Sequence, residues 1–262
     1  MTDFITGLLE LTAWSMPRPA MFGTFHIMAA LISICAALVL AAVFRRHPAD
    51  KVLSVTGWIL VILELYKQLF LFFIVNQGAY DWWYFPFQLC SVPMYICILL
   101  PYTRCRIHNA MLTFLGSYAL IGAAAALIFP EDFLRSYVTL TLHGFIWHGL
   151  LLFISIIALH AEDTDLSLRG FAGAAIIFIF LSFVAVLINI AAEPLMASAG
   201  LPESYAAMFY MNPYHISPQP VVSSVQQAIG IPAGLLLYAL CIIAASGIII
   251  RTAFVIREKN FN

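Results

Sequence analysis

Long apolar runs separated by short polar breaks recur along the whole 262-residue chain. A bilayer core takes ~20 apolar residues per helix, with a working range of ~17–25. Seven stretches fit: 20–44, 51–76, 85–101, 109–129, 137–159, 168–192 and 231–256. The breaks carry turn and charge signals, among them Arg45-Arg46-His47-Pro48, Gln77-Gly78, Thr103-Arg104 and Pro130-Glu131-Asp132. The pattern predicts an all-α, polytopic transmembrane bundle of about seven spans, forming one domain over residues 1–262.

Charge then sets an orientation. Of the 12 lysines and arginines, Arg45, Arg46, Lys51, Arg104, Arg106, Arg169, Arg251, Arg257 and Lys259 fall on one side of such a bundle. Only Arg18 and Arg135 fall on the other, and Lys67 lies within the second span. Cytoplasmic loops carry the excess of basic residues, so the N-terminus is expected outside and the C-terminus in the cytoplasm of a multi-pass cell-membrane protein. On the outer side, Tyr80-Asp81-Trp82-Trp83-Tyr84 is an aromatic cluster suited to the headgroup level. The longest connection, 193–230, is rich in Pro, Tyr, Met and Ser without Lys or Arg, the composition expected of a lid or half-inserted segment.

Composition narrows the function classes. With 63% apolar and 10% charged residues, an ordinary soluble domain is excluded. No basic run is interleaved with aromatics, so no nucleic-acid partner is expected. The five cysteines show no paired spacing and mostly sit in apolar runs, which argues against a disulfide framework or a cysteine zinc site. No cofactor is implied, and the expected partners are membrane phospholipids.

Ionisable groups inside a bilayer are costly and therefore candidates for function. His26, Glu64, Lys67, Gln88, Cys90, His143 and His148 all fall inside spans, in or near the outer half. At ~1.5 Å per residue, Cys90 sits about 8 Å below the outer start of the third span, and His26 at a similar depth in the first. Glu64 and Lys67, spaced i and i+3, can also simply neutralise each other on one helix face. Pro93 cannot donate to the Leu89 carbonyl, which frees a polar backbone group beside Cys90. His143 and His148 lie about 140° apart around their helix, so one is expected to face the centre and the other a neighbouring helix. Asn212, Tyr214 and His215 could overhang the site from the long connection, although turn chemistry alone accounts for Asn212-Pro213.

Taken in chain order, four features resemble the YwaF-like integral membrane family, related to the transmembrane-protein-164 acyltransferases. They are Phe22 and His26 opening the first span, Glu64 in the second, Pro86-Phe87-Gln88-Leu89-Cys90 opening the third, and His143-Gly-Phe-Ile-Trp-His148 in the fifth after Phe129-Pro130. The resemblance implies a compact bundle of six or seven spans. In the acyltransferase branch it implies a cysteine nucleophile that carries an acyl chain between phospholipids, a role that only Cys90 is placed to inherit. Bacterial-type members often have a histidine at the position of Gln88, and the acyltransferase branch has one at the position of Ser91.

Three functions remain in competition. In the favoured one, a membrane lipid acyltransferase or remodelling enzyme, Cys90 attacks a lipid ester at the outer headgroup boundary. His148 or His143 takes the thiol proton, Glu64 orients that histidine, and Lys67 or His26 holds the oxyanion or the phosphate. Gln88, Asn212 and Tyr214 complete the substrate-binding set. The second is a metal-dependent lipid hydrolase, in which His26, Glu64 and one or both of His143 and His148 bind zinc. The third is a transporter or lipid-binding protein with the same groups as a relay, which needs a polar path through the featureless inner half.

Overall fold

The computed structural model describes residues 2–197 and 205–261. It is built of helices: α1 (Thr2–Glu10), α2 (Thr24–Phe44), α3 (Ala49–Phe70), α4 (Val92–Leu99), α5 (Cys105–Phe114), α6 (Leu120–Ile128), α7 (Val138–His160), α8 (Leu168–Ala197), α9 (Pro220–Ile229) and α10 (Ile231–Phe261). A π turn, Leu71–Val75, lengthens α3, and another, Leu115–Ala119, joins α5 to α6 into one rod. Among the described residues, six rods are long and apolar enough to cross a membrane: Thr24–Phe44, Ala49–Val75, Cys105–Ile128, Val138–His160, Leu168–Leu195 and Ile231–Lys259.

The third expected span differs. Over 85–101 the chain is helical only in the 8 residues of α4, prolonged by a 3-residue 3-10 turn. Eleven residues at ~1.5 Å each cover about 17 Å of a ~30 Å hydrocarbon layer. The rest of this transit is non-helical backbone, 85–91. Proline chemistry explains the late start. Pro86 suits a non-helical stretch, while Pro93 falls in the first turn of α4, where its missing N–H costs nothing. The carbonyl freed at Leu89 is thus an ordinary helix-start feature rather than a break within a span.

The two ends of the bundle are sorted as the charge pattern requires. At the arginine-rich end, Arg257 of α10 donates to the carbonyls of Leu159, Ala161 and Thr164 at 2.6, 3.2 and 3.2 Å. There too His108 Nε2 lies 3.4 Å from Asp50 Oδ1, tying α5 to the start of α3. At the opposite end, Met16 N–H donates to Ser136 O and Val138 N–H to Trp14 O, both at 2.9 Å, so the segment after α1 pairs with the entry to α7.

Helix α7 is the central post, packed against α2, α3, α6 and the Leu115–Ala119 turn. Buried aromatics fill the space between α5–α6 and α8, where Tyr118 stacks between Phe114 and Phe178 with ring centroids 4.8 Å apart on each side. Helices α2, α3, α8 and α10 turn apolar residues outward, as a lipid-facing surface requires. Close approach of α3 to α4 depends on Gly57, where a Cβ would lie 2.9 Å from that of Cys97.

The connection 193–230 is shorter and more structured than its sequence suggests. Helix α8 continues to Ala197 and α9 takes up Pro220–Ile229. In the described part between them, 205–219, Ala206, Ala207, Met208, Phe209, Met211 and Asn212 are buried, although that backbone is not helical apart from one 3-10 turn. Backbone of this kind is tolerated at membrane depth only when enclosed by protein.

Candidate functional site

The i, i+3, i+4 spacing of Glu64, Lys67 and Gln68 puts all three on one face of α3. Glu64, 5% exposed, accepts from Lys67 Nζ at 2.8 Å and from Gln68 Nε2 at 2.7 Å. Gln68 Nε2 also reaches the Tyr84 carbonyl at 2.5 Å, and the Tyr84 hydroxyl accepts from Arg135. A continuous chain of polar contacts therefore runs from Arg135 at the end of the bundle to Lys67 inside it. Burial pushes the Tyr84 phenol up to about 12, with Arg135 opposing the shift, so the hydroxyl keeps its proton.

Facing this chain is α7. His143 Nε2 lies 3.0 Å from the Leu63 carbonyl. A carbonyl only accepts, so the neutral imidazole carries its proton on Nε2 and presents the lone pair on Nδ1. One turn on, Trp147 stacks on His143 with centroids 5.6 Å apart, and Lys67 Nζ stands 5.8 Å from the Trp147 ring. Trp147 Nε1 donates at 3.1 Å to the carbonyl of Cys90, in the turn that leads into α4. Cys90, His143, Lys67 and Glu64 thus share one neighbourhood, with Trp147 joining them. Sequence reading missed Trp147; its place four residues after His143, on the same helix face, was the available signal.

His148 and His26 belong elsewhere. His148 Nδ1 is 2.7 Å from the Gly144 carbonyl, and its ring stacks on Phe133 at 4.9 Å. Phe133 fits only because residue 144 is glycine, since a Cβ there would fall 2.4 Å from its ring. His26 accepts from Phe22 N–H on Nδ1 at 2.9 Å and donates from Nε2 to Leu127 O at 2.8 Å. The Nδ1 contact closes the entry to α2 and the Nε2 contact pins α2 to the end of α6, leaving neither nitrogen for an oxyanion, a phosphate or a metal. Glu64, for its part, is held by Lys67 and Gln68, so main-chain carbonyls rather than Glu64 orient the two histidines of α7. Among the described residues, no three His, Cys, Asp or Glu side chains form a group able to hold a metal ion.

Two of the remaining expected contacts, Gln88 and Asn212, fasten the fold internally. Gln88 Nε2 donates to Ala207 O at 3.2 Å, and its Oε1 accepts from Phe209 N–H at 3.0 Å. Asn189 of α8 grips the same segment, accepting from Met208 N–H at 2.7 Å and donating to its carbonyl at 3.1 Å. Asn212 folds the turn, donating to Ala206 O at 2.6 Å and accepting from Tyr214 and His215 N–H at 2.7 and 3.1 Å. Tyr214 itself is exposed, and His215 pairs with Glu193 at 2.8 Å. The Tyr210 hydroxyl donates to Asp132. Burial and the neighbouring Asp132 charge hold that phenol well above its ordinary value.

A cavity of about 510 Å³ lies at the arginine-rich end, lined by Arg45, Arg46, His47, Asp50, His160 and Glu162 among others, far from Cys90. Neither a curated protein nor a solved structure matches the chain. A model of the TMEM164 family does match, over residues 21–250, a stretch that takes in α2 through most of α10 and every residue of the cluster around Cys90; the chain belongs to the TMEM164 family.

Proposed function

We propose that this protein is a lipid acyltransferase that uses Cys90 to carry an acyl group between membrane phospholipids. The observation that carries the reading is the 3.1 Å hydrogen bond from Trp147 Nε1 to the Cys90 carbonyl. It fastens the only cysteine-bearing turn of the cluster to the helix face that presents His143, opposite the Lys67–Glu64 pair. A thiol in apolar surroundings is a poor nucleophile until a base removes its proton. His143 Nδ1, unprotonated when Nε2 bonds Leu63 O, is the base in this scheme.

The chemistry balances without an external energy source. His143 takes the Cys90 proton, the sulfur forms a bond to the ester carbon of a donor phospholipid, and the ester C–O bond breaks. The departing lysophospholipid oxygen takes the proton back from the imidazolium. In the second half, a hydroxyl on an acceptor lysolipid loses its proton to His143 and attacks the thioester carbon; the C–S bond breaks and the thiol is restored. The Lys67 ammonium, held by Glu64, stabilises the oxyanion of both tetrahedral intermediates.

Depth agrees with this substrate. Cys90 lies in a non-helical turn between the aromatic segment 80–84 and α4, the level at which glycerolipid esters sit. With the arginine-rich end in the cytoplasm of the cell membrane, the site opens to the outer leaflet and the N-terminus is outside. The test is the purified protein with a fluorescent phospholipid donor and a lysophospholipid acceptor. Cys90→Ser and Cys90→Ala should abolish both transfer and the hydroxylamine-sensitive acyl adduct; unchanged turnover in either variant rejects Cys90 as the carrier.

A further inference from the structure

Gln88 is bonded in two directions at once. Its main-chain carbonyl accepts from Ser91 N–H at 2.8 Å and Val92 N–H at 3.1 Å, which closes the turn holding Cys90 and starts α4. Its side-chain amide is paired, donor to acceptor and acceptor to donor, with the backbone of Ala207 and Phe209. The buried segment 205–212 is thereby laid across the Cys90 turn. It also brings Tyr210 within electrostatic reach of the Cys90 thiol, as α10 does with Tyr238.

The segment is held by side chains rather than by secondary structure. Asn189 grips it from α8, Asp132 takes the Tyr210 hydroxyl, and Phe209 stacks between Phe87 and Phe178 with centroids 5.9 and 6.1 Å away. Phe209 and Tyr210 stand at φ of 56° and 57°, a left-handed conformation that non-glycine residues adopt at a cost. Strained backbone kept in place by a few directed contacts is the kind of element that opens locally when one contact is removed.

We propose that Gln88 is a positioning residue for the Cys90 thiol, acting by fastening the buried segment 205–212 over the turn that carries it. The significance for acyl transfer rests on the function proposed above, with the segment as the roof of the acyl site; the positioning itself does not. In this arrangement a lipid reaches the sulfur only as far as the segment yields, and Asn189 and Asp132 set the same restraint from the other side.

The test uses the full chain in lipid nanodiscs, with the exposed Cys35, Cys105 and Cys241 replaced by serine so that Cys90 and Cys97 remain. Alkylation by N-ethylmaleimide is followed at each thiol by peptide mass spectrometry. Gln88→Ala is expected to speed alkylation of Cys90 by roughly five-fold or more, the size expected when one directed contact of a locally opening segment is lost. Gln88→Glu, which keeps the acceptor for Phe209 N–H and loses the donor to Ala207 O, should fall between it and the parent. Asn189→Ala should shift Cys90 in the same direction, and Cys97, buried between α3 and α4, should stay slow throughout. Unchanged Cys90 rates in both Gln88 variants overturn the proposal; so does a matching rise at Cys97, which reports loosening of the bundle. Faster Cys90 alkylation together with undiminished lipid turnover by Cys90→Ser would retain the positioning role and remove the acyl-carrier reading.

Discussion

Replacing Lys67 by methionine strips the buried Glu64 carboxylate of the cation paired with it while keeping the length of the side chain. Breaking a buried pair by removing one partner costs ~3–5 kcal/mol, because the other charge is left uncompensated. Two features of the site reduce that. Lys67 keeps 20% of its side chain exposed, and Gln68 still donates to Glu64 Oε1 at 2.7 Å. Loss of the cation over Trp147 adds back ~0.5–1 kcal/mol. The expected destabilisation is ~2–4 kcal/mol. Glu64→Gln in the same background removes the orphaned charge and preserves the contact with Gln68, so the double variant Glu64→Gln/Lys67→Met should return to within ~1 kcal/mol of the parent. Unfolding in mixed micelles by titration with a denaturing detergent, read by tryptophan fluorescence, gives the four corners of the cycle. Destabilisations that simply add would refute the reasoning, since they would mean that the two charges are compensated by other groups. A stable double variant without acyl transfer would show that the pair serves the chemistry rather than the fold.

Other consequences can be checked more briefly. His26→Ala removes the pin between α2 and α6 together with the Phe22 contact at the entry to α2, and should cost about 2–3 kcal/mol, one net hydrogen bond plus a stranded Leu127 carbonyl, with turnover per folded molecule unchanged. Gly144→Ala drives a methyl to within 2.4 Å of the Phe133 ring and should destabilise by ~1–3 kcal/mol, measured as a lower melting temperature. For orientation, a fluorescent protein fused to the C-terminus should fold and fluoresce, whereas an alkaline phosphatase fused there should be inactive; the reverse result would invert the assignment of leaflets.

Six of the seven spans were legible because a helix that faces lipid must be apolar along its whole length, and length alone then identifies it. The segment 85–101 carries the same composition, yet composition does not register where a helix begins. Pro86 and Pro93 were visible, but their effect on the start of α4 depends on what satisfies the backbone before it. The turn before it is closed by the carbonyl of Gln88, while the Gln88 side chain meets the segment 205–212, more than a hundred residues away, and no local pattern predicts that meeting. The polar residues were likewise visible as costly groups in apolar runs. Which of them meet was not, because His143 and His148 differ only in the neighbour that each side of α7 faces. Gln88 and Asn212, expected to touch substrate, show how a polar side chain at membrane depth can be wholly committed to main-chain groups. Trp147, present in the sequence analysis only as part of the fifth-span motif, donates the hydrogen bond that joins α7 to the Cys90 turn.

The broken third transit bears on how the chain is made. Its non-helical stretch leaves the ribosome long before the residues that embrace it, since Gln88 waits for Ala207 and Phe209 at sequence separations of 119 and 121. Until α8 has been inserted and the following turn has folded back, the side-chain amide of Gln88 must stay hydrated or be sheltered by an insertion chaperone. Biogenesis therefore has a late locking step, and a nascent chain halted after α7 should be recognised by membrane quality control as unfinished.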